Sequence, residues 1–149
     1  MTTVRSRREL ASLPVSAAVT TRGKLLAATD TVATARGLFA NGSVRVLPVL
    51  DGKAYVGAVE RDSLADDLAP ETAVAAIASR ALQTALAGTP SGQALAELDR
   101  TGATRLVVLE DDGVTYRGLV CLRSDRLCVC VDAECHTEEA TEIEERTYA

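Results

Sequence analysis

Apolar residues in this chain fall into short runs whose period changes along the sequence. KLLAA (24–28) and ALQTAL (81–86) are apolar stretches of strand length. After each, apolar positions recur at helical spacing: Val32, Ala35, Leu38 and Phe39 in the first place, Leu95 and Leu98 in the second. RVLPVL (45–50) and RLVVL (105–109) then read as strands. Turns rich in Asp and Gly follow, then the second strands AYVGAV (54–59) and TYRGLV (115–120). Asp30 or Thr31 is placed to cap the first helix, and Thr89 with Pro90 at the first helical position opens the second. Gly42 and Gly102 suit left-handed helix ends.

The two series are one unit written twice. Gly42, Arg45, Leu47 and Val49 lie over Gly102, Arg105, Val107 and Leu109 at an offset of 60. An extra residue in the second turn shifts the offset to 61, where Tyr55-Val-Gly-Ala-Val meets Tyr116-Arg-Gly-Leu-Val. Ser63 and Ser124 stand six residues after the respective glycines. The chain divides into an N-terminal segment (1–12), a first repeat (13–70), a second repeat (71–131) and a tail (132–149). A single β-α-β-β unit leaves one face of its sheet apolar, and two such units can cover each other.

Composition narrows the chemistry. The chain is 47% hydrophobic and only 3% aromatic, so Val, Leu and Ala must build the core. Residues 132–149 carry seven acids and one base, a net of -6, so the rest of the chain sums to +1 within the overall -5. A near-neutral body with an acidic tail argues against nucleic-acid binding, despite Arg5, Arg7 and Arg8. No run approaches the roughly 20 apolar residues of a membrane span, and the first residues lack a secretory apolar stretch. The expected compartment is the cytoplasm, where thiols stay reduced. Phosphate-loop, dinucleotide and nucleophile-elbow motifs are absent, so no enzyme is expected.

The stretches DTVATARGLFANGSVRVLPVLDGKAYVGAVERDSL (30–64) and TPSGQALAELDRTGATRLVVLEDDGVTYRGLV (89–120) carry a further meaning. Together they resemble a tandem pair of CBS domains, named for cystathionine β-synthase. That resemblance implies an α/β fold of two β-α-β-β-α repeats packed with pseudo-two-fold symmetry. It also implies a homodimer and a non-catalytic sensor binding an adenosine nucleotide in the cleft between repeats. AMP, ADP, ATP and S-adenosylmethionine are the ligands it suggests. The family motif Gly-h-x-Thr/Ser-x-x-Asp, whose carboxylate holds the ribose, falls on Glu60 and Ser63 in the first repeat and on Cys121 and Ser124 in the second. Candidate ligand contacts are therefore Arg45, Glu60, Ser63, Arg105, Cys121 and Ser124. Arg61 and Arg123 are either anion contacts or solvated helix starts. Tyr55 and Tyr116 either cover a sheet edge or stack on a base.

The repeats then diverge. RDSLADDLA (61–69) has the composition of the family's closing helix, whereas Leu127, Val129 and Val131 alternate with Cys128 and Cys130 as in a strand. Cys128, Cys130, Cys135 and His136 offer thiolate and imidazole ligands for zinc, but without the usual paired C-x2-C spacing. A metal site, a redox or disulfide role, and simple packing all remain open for these cysteines. SRREL (6–10) has the spacing of a capping box, with Ser6 as cap and Glu9 reaching back. The alternative function is a ligand-free dimerisation module, with the terminal segments docking a protein partner; a metal or thiol sensor is a third.

Overall fold

The computed structural model describes residues 3–20, 24–42, 44–123 and 125–131. The elements run β1 (Thr3–Ser6), α1 (Arg7–Leu10), a 3-10 turn (Val15–Ala18), β2 (Leu26–Ala27), α2 (Val32–Phe39), β3 (Val46–Asp51) and β4 (Ala54–Glu60). Two further 3-10 turns (Arg61–Ser63 and Val74–Ala76) lead to β5 (Thr84–Leu86), α3 (Ser91–Thr101), β6 (Arg105–Leu109), β7 (Tyr116–Leu122) and β8 (Cys128–Val131). They pack as two compact units. The larger takes the described residues within Met1–Arg22, Gln83–Gly113 and Arg117–Ala149, and the smaller those within Gly23–Leu82 and Val114–Tyr116.

The smaller unit holds a three-stranded sheet ordered β2-β3-β4, with β2 parallel and β4 antiparallel to β3. Thr31 caps α2 by accepting from the Thr34 N–H, so the second of the two candidate caps performs the task. Ala35 and Phe39 of α2 are buried in one cluster with Leu26, Leu47, Val49 and Val59 of the sheet, with Leu38 half-buried beside them, and Val32 at the helix start is also buried. The helical spacing and the strand alternation thus meet in one core.

The larger unit holds a five-stranded sheet ordered β1-β8-β7-β6-β5. Leu95 and Leu98 of α3 bury against Leu106, Val108, Val120, Leu122 and Val129. The alternation of residues 127–131 does produce a strand, and β8 pairs antiparallel with both β7 and β1. The capping box forms as expected: Ser6 Oγ accepts from the Glu9 N–H, and Glu9 Oε1 accepts from the Ser6 N–H, both at 3.1 Å. It turns β1 into α1 and delivers Leu10, fully buried, to the core. Asp99 of α3 accepts from Arg7 (2.7 Å) and from Arg126 (3.0 Å), fastening α1 and the β7–β8 turn to the helix.

Three expectations need correction. Gly102 does end α3 in the left-handed region (φ 77°), but Gly42 does not end α2 that way. The α2 C-cap is right-handed Ala40, and the side chain of Arg61 accepts the task of bonding the last carbonyls. Pro90 occupies the N-cap position rather than the first helical one, with no side-chain cap. Residues 61–69 make a 3-10 turn (Arg61–Ser63) and then a single turn closed by the Leu68 N–H on the Ala65 carbonyl, with no α-helix. There, Arg36 Nη2 donates to the carbonyls of Ala65, Asp66 and Leu68, which a helix would have used internally. The closing helix implied for each repeat is thus a 3-10 turn in the first and strand β8 in the second.

The segment preceding each repeat docks in the unit built around the other. Ser91 and Gly92 at the start of α3 donate to the Leu13 and Ala11 carbonyls; Val32 and Ala33 at the start of α2 donate to those of Thr72 and Pro70. Both donors and both acceptors are related by a shift of 59 residues. Further on, Thr20 exchanges backbone bonds with Leu119 (2.9 and 3.1 Å), and Ser79 does so with Ala58 (2.9 and 2.8 Å). These crossings explain the repeated Tyr-x-Gly-x-Val phrase. A Cβ on Gly118 would lie 2.8 Å from Val19 Cβ and 3.1 Å from the Thr20 carbonyl; one on Gly57 would lie 3.0 Å from the Ser79 carbonyl.

Gly118→Ala and Gly57→Ala are each expected to cost about 1–3 kcal/mol by overpacking against main chain. That lowers the thermal midpoint by roughly 2–4 °C per kcal/mol. Gly37, inside α2 with open space around its Cβ position, is the contrast. Gly37→Ala should stabilise by about 0.5–1 kcal/mol. Equal midpoints for all three variants would remove the close-approach explanation.

Candidate functional site

The residues singled out for ligand contact cluster at one end of each sheet. In the smaller unit, Val46 pairs with Glu60 and the Arg61 N–H donates to the Arg45 carbonyl (3.1 Å), so Arg45, Glu60 and Ser63 come together. All three are exposed. Ser63 Oγ donates to the Glu60 carbonyl (2.7 Å) and accepts from the Glu60 N–H (3.1 Å), closing the turn after β4. A hydroxyl has one donor and two acceptor lone pairs, so one lone pair stays open. In the larger unit, Arg105 opens β6 and Cys121 lies near the end of β7, where the Leu122 N–H meets the Thr104 carbonyl (2.8 Å). Both side chains are half-buried. Ser124, Cys135 and His136 lie outside the described residues, as does the tail from 132 onward.

Arg61 opens the 3-10 turn after β4, and its guanidinium is turned back onto the end of α2. Its Nη2 donates to the carbonyls of Phe39 and Asn41 (2.8 Å each) and of Val44 (2.7 Å), and Nε donates to Val44 (3.1 Å). The guanidinium lies 5.3 Å from the Phe39 ring centroid. It neutralises the carbonyl end of α2, where a cation is favoured. Its position immediately after the strand motif made it look like a ligand group; only the fold reveals the three carbonyls within its reach.

Tyr55 and Tyr116 are brought together in the smaller unit. The Tyr55 N–H donates to the Val114 carbonyl and the Tyr116 N–H to that of Lys53, both at 2.9 Å. The rings stack with centroids 6.4 Å apart and planes 24° apart. Arg80, which no sequence pattern flagged, places its guanidinium 5.2 Å from the Tyr55 centroid and donates to the Tyr55 carbonyl (3.3 Å). Tyr55 is 4% exposed and its hydroxyl has no hydrogen-bond partner among the described residues. Burial pushes the Tyr116 phenol up to about 12, with Tyr55 adding to the shift. Tyr55 is also raised, by burial first, with Arg80 opposing.

Among the described residues, no group of three or more His, Cys, Asp or Glu side chains is arranged to hold a metal ion. Of the metal candidates, Cys128 and Cys130 both lie in β8. Burial pushes the Cys128 thiol up, away from the thiolate a metal needs. No helix among the described residues is long and apolar enough to cross a membrane.

No protein-family model and no curated protein matches the chain. Solved structures do match. A cystathionine β-synthase pair domain from Shewanella oneidensis superposes with a TM-score of 0.65 at 21% identity, covering 79% of this chain and 72% of that one. The CBS domain of a bacterial CNNM/CorC family Mg2+ transporter, in complex with ATP, gives 0.60 at 21% identity over 77% of this chain and 85% of that one. CBSX2 in complex with AMP gives 0.60 at 20% identity over 72% and 89%. The chain has the fold of a tandem CBS-domain module.

Two predictions come from this geometry. Arg61→Met keeps the stem over Phe39 but strands three carbonyls, and should lower stability by about 1–3 kcal/mol. An unchanged urea midpoint would show that Arg61 caps nothing of consequence. Tyr116 is held protonated in the fold, so its contribution is complete below the ordinary value of 10.0 and is lost as pH rises through about 12. Tyr116→Phe should therefore flatten the loss of stability across that interval. A wild-type phenol titrating at its ordinary value by tyrosinate absorbance would contradict the burial.

Proposed function

We propose that the chain is a non-catalytic regulatory module that binds an adenosine-containing ligand and responds by favouring one arrangement of its two units. The observation that supports it is the fold, shared with CBS structures that include an ATP and an AMP complex. On this reading the contacts are Arg45, Glu60 and Ser63 in one unit, and Arg105, Cys121 and Ser124 in the other. The open lone pair of Ser63 accepts from a ribose hydroxyl, while the exposed guanidinium of Arg45 meets phosphate. A neutral serine in place of a carboxylate gives a weaker ribose contact, by about 1 kcal/mol. The ligand acts through its differential affinity for two states, and no bond is made or broken. The module works as a homodimer in the cytoplasm.

Thermal unfolding against AMP, ADP, ATP and S-adenosylmethionine tests this. A ligand at about 100 times its dissociation constant stabilises by roughly 2.7 kcal/mol. The midpoint should rise by several degrees, at about 2–4 °C per kcal/mol. Ser63→Ala and Ser124→Ala should each weaken binding by about fivefold, the worth of one neutral hydrogen bond. Absence of any shift at millimolar concentration would end the sensor reading, and a dimer on sizing would then leave a ligand-free association module.

A further inference from the structure

Two carboxylates stand at the end of β4 that carries the ligand candidates, and the reading above leaves the sign of their charge unexplained. Glu60 and Asp62 are both exposed, as are Arg45 and Ser63. Glu60 and Ser63 face each other across the turn as a capping box. Arg61, between the two acids, commits its guanidinium to the carbonyls of Phe39, Asn41 and Val44. Among Arg45 and residues 60–63, the charges left open to solvent are therefore two carboxylates and one guanidinium. The duplication supplies a comparison. At the offset of 61, Glu60, Arg61 and Asp62 lie over Cys121, Leu122 and Arg123. The first repeat has two acids where the second has a thiol and an arginine. A phosphate-bearing ligand common to both repeats would not call for opposite charges at corresponding positions. Specificity is built by repulsion as well as attraction, and a carboxylate beside a phosphate works against it.

We propose that the turn Glu60–Ser63 selects an adenosyl ligand whose 5′ substituent is cationic rather than phosphorylated, with Glu60 as the residue that reads the charge. This rests on the adenosine-binding reading and names the ligand class of that same site. With the ribose hydroxyls on Ser63, the uncharged adenine cannot answer two carboxylates, so the 5′ substituent must. A sulfonium or an amine on C5′ answers them, and a phosphate there meets like charge. Asp62 adds to the negative field. Arg45 completes the match by taking a carboxylate on the same substituent, since a guanidinium pairs with carboxylate as readily as with phosphate. An amino-acid sulfonium such as that of S-adenosylmethionine offers the whole set: a positive sulfur next to the ribose, an ammonium and a carboxylate. Among the described residues no three His, Cys, Asp or Glu side chains are grouped to hold a metal ion, so the positive charge comes with the ligand.

Titrating the full chain with S-adenosylmethionine, S-adenosylhomocysteine and AMP tests the assignment. The first two differ only by the methyl group that makes the sulfur cationic. S-adenosylmethionine should bind about fivefold more tightly than the thioether, the effect of one exposed charge pair at close range. Added salt should narrow that gap. Glu60→Gln keeps the shape and removes the charge. It should abolish the preference by weakening the sulfonium compound alone, with the thioether unchanged. Equal binding of the two adenosyl compounds, or a preference that survives Glu60→Gln, would overturn the assignment and leave the sensor reading standing. A Glu60→Gln chain that loses both compounds alike would overturn it too, because a charge-reading role spares the thioether. Absence of saturable binding by any of the three would end both readings together.

Discussion

Main chain lying directly against main chain at Gly57 and Gly118 is the constraint from which the rest follows. At each point an approaching segment, Ala78–Ser79 or Val19–Thr20, comes within about 3 Å of where a Cβ would stand. Backbone bonds from Ser79 to Ala58 and from Thr20 to Leu119 become possible only because nothing intervenes. The same segments upstream supply the carbonyls that cap α2 and α3, so one approach fixes a strand, a helix start and a core residue together. Val15 and Val74, on the 3-10 turns of the two segments, are fully buried in the respective units.

Much of this was legible in the residues, because it was written in side-chain pattern. The duplication, the apolar face of α2, the alternation of β8 and the Ser6–Glu9 box each depend on side chains at fixed spacing, and each is present in the fold. What escaped was carried by backbone groups or by long side chains. The α3 start has no side-chain cap because the Leu13 and Ala11 carbonyls serve it. Residues 61–69 have helical composition, yet their carbonyls go to Arg36, a donor about 30 positions away in the chain. Gly42 looked like a helix end by analogy with Gly102, but a reaching arginine removed the need for one.

The same physics shapes the candidate site. Arg61 and Ser63 follow β4 where a ligand would be met, and both have local work: Arg61 at the end of α2, Ser63 across the turn at Glu60. A positively charged residue at such a position is weak evidence for an anion site, because helix C-termini attract cations too. Arg45 differs in being exposed at a strand start, with its backbone carbonyl already engaged and its side chain reaching into solvent. Of the two arginines in that unit's candidate region, Arg45 is the exposed one, and Arg61 is the one bonded to carbonyls.

The crossing segments also decide which parts of the chain depend on which. α3 belongs to the second repeat, yet its first two N–H donors are satisfied by residues 11 and 13, and Leu10 fills its core. The second repeat without those residues would leave buried donors unpaired and a hole beside Leu95 and Leu98, each a cost of the order of 1–3 kcal/mol. β1 holds this segment to the sheet through β8, and Arg7 holds it to α3 through Asp99. The Asp99 carboxyl is kept below its ordinary 3.8 chiefly by its bonds to Arg7, so that fastening is intact above this value and is released only as pH falls below it. The hairpin β7–β8 therefore stands between the end of β7 that carries Cys121 and the N-terminal cap of α3. Arg126 at the turn of the hairpin and Arg7 on α1 both donate to Asp99, so hairpin, N-terminal segment and helix meet on one carboxylate.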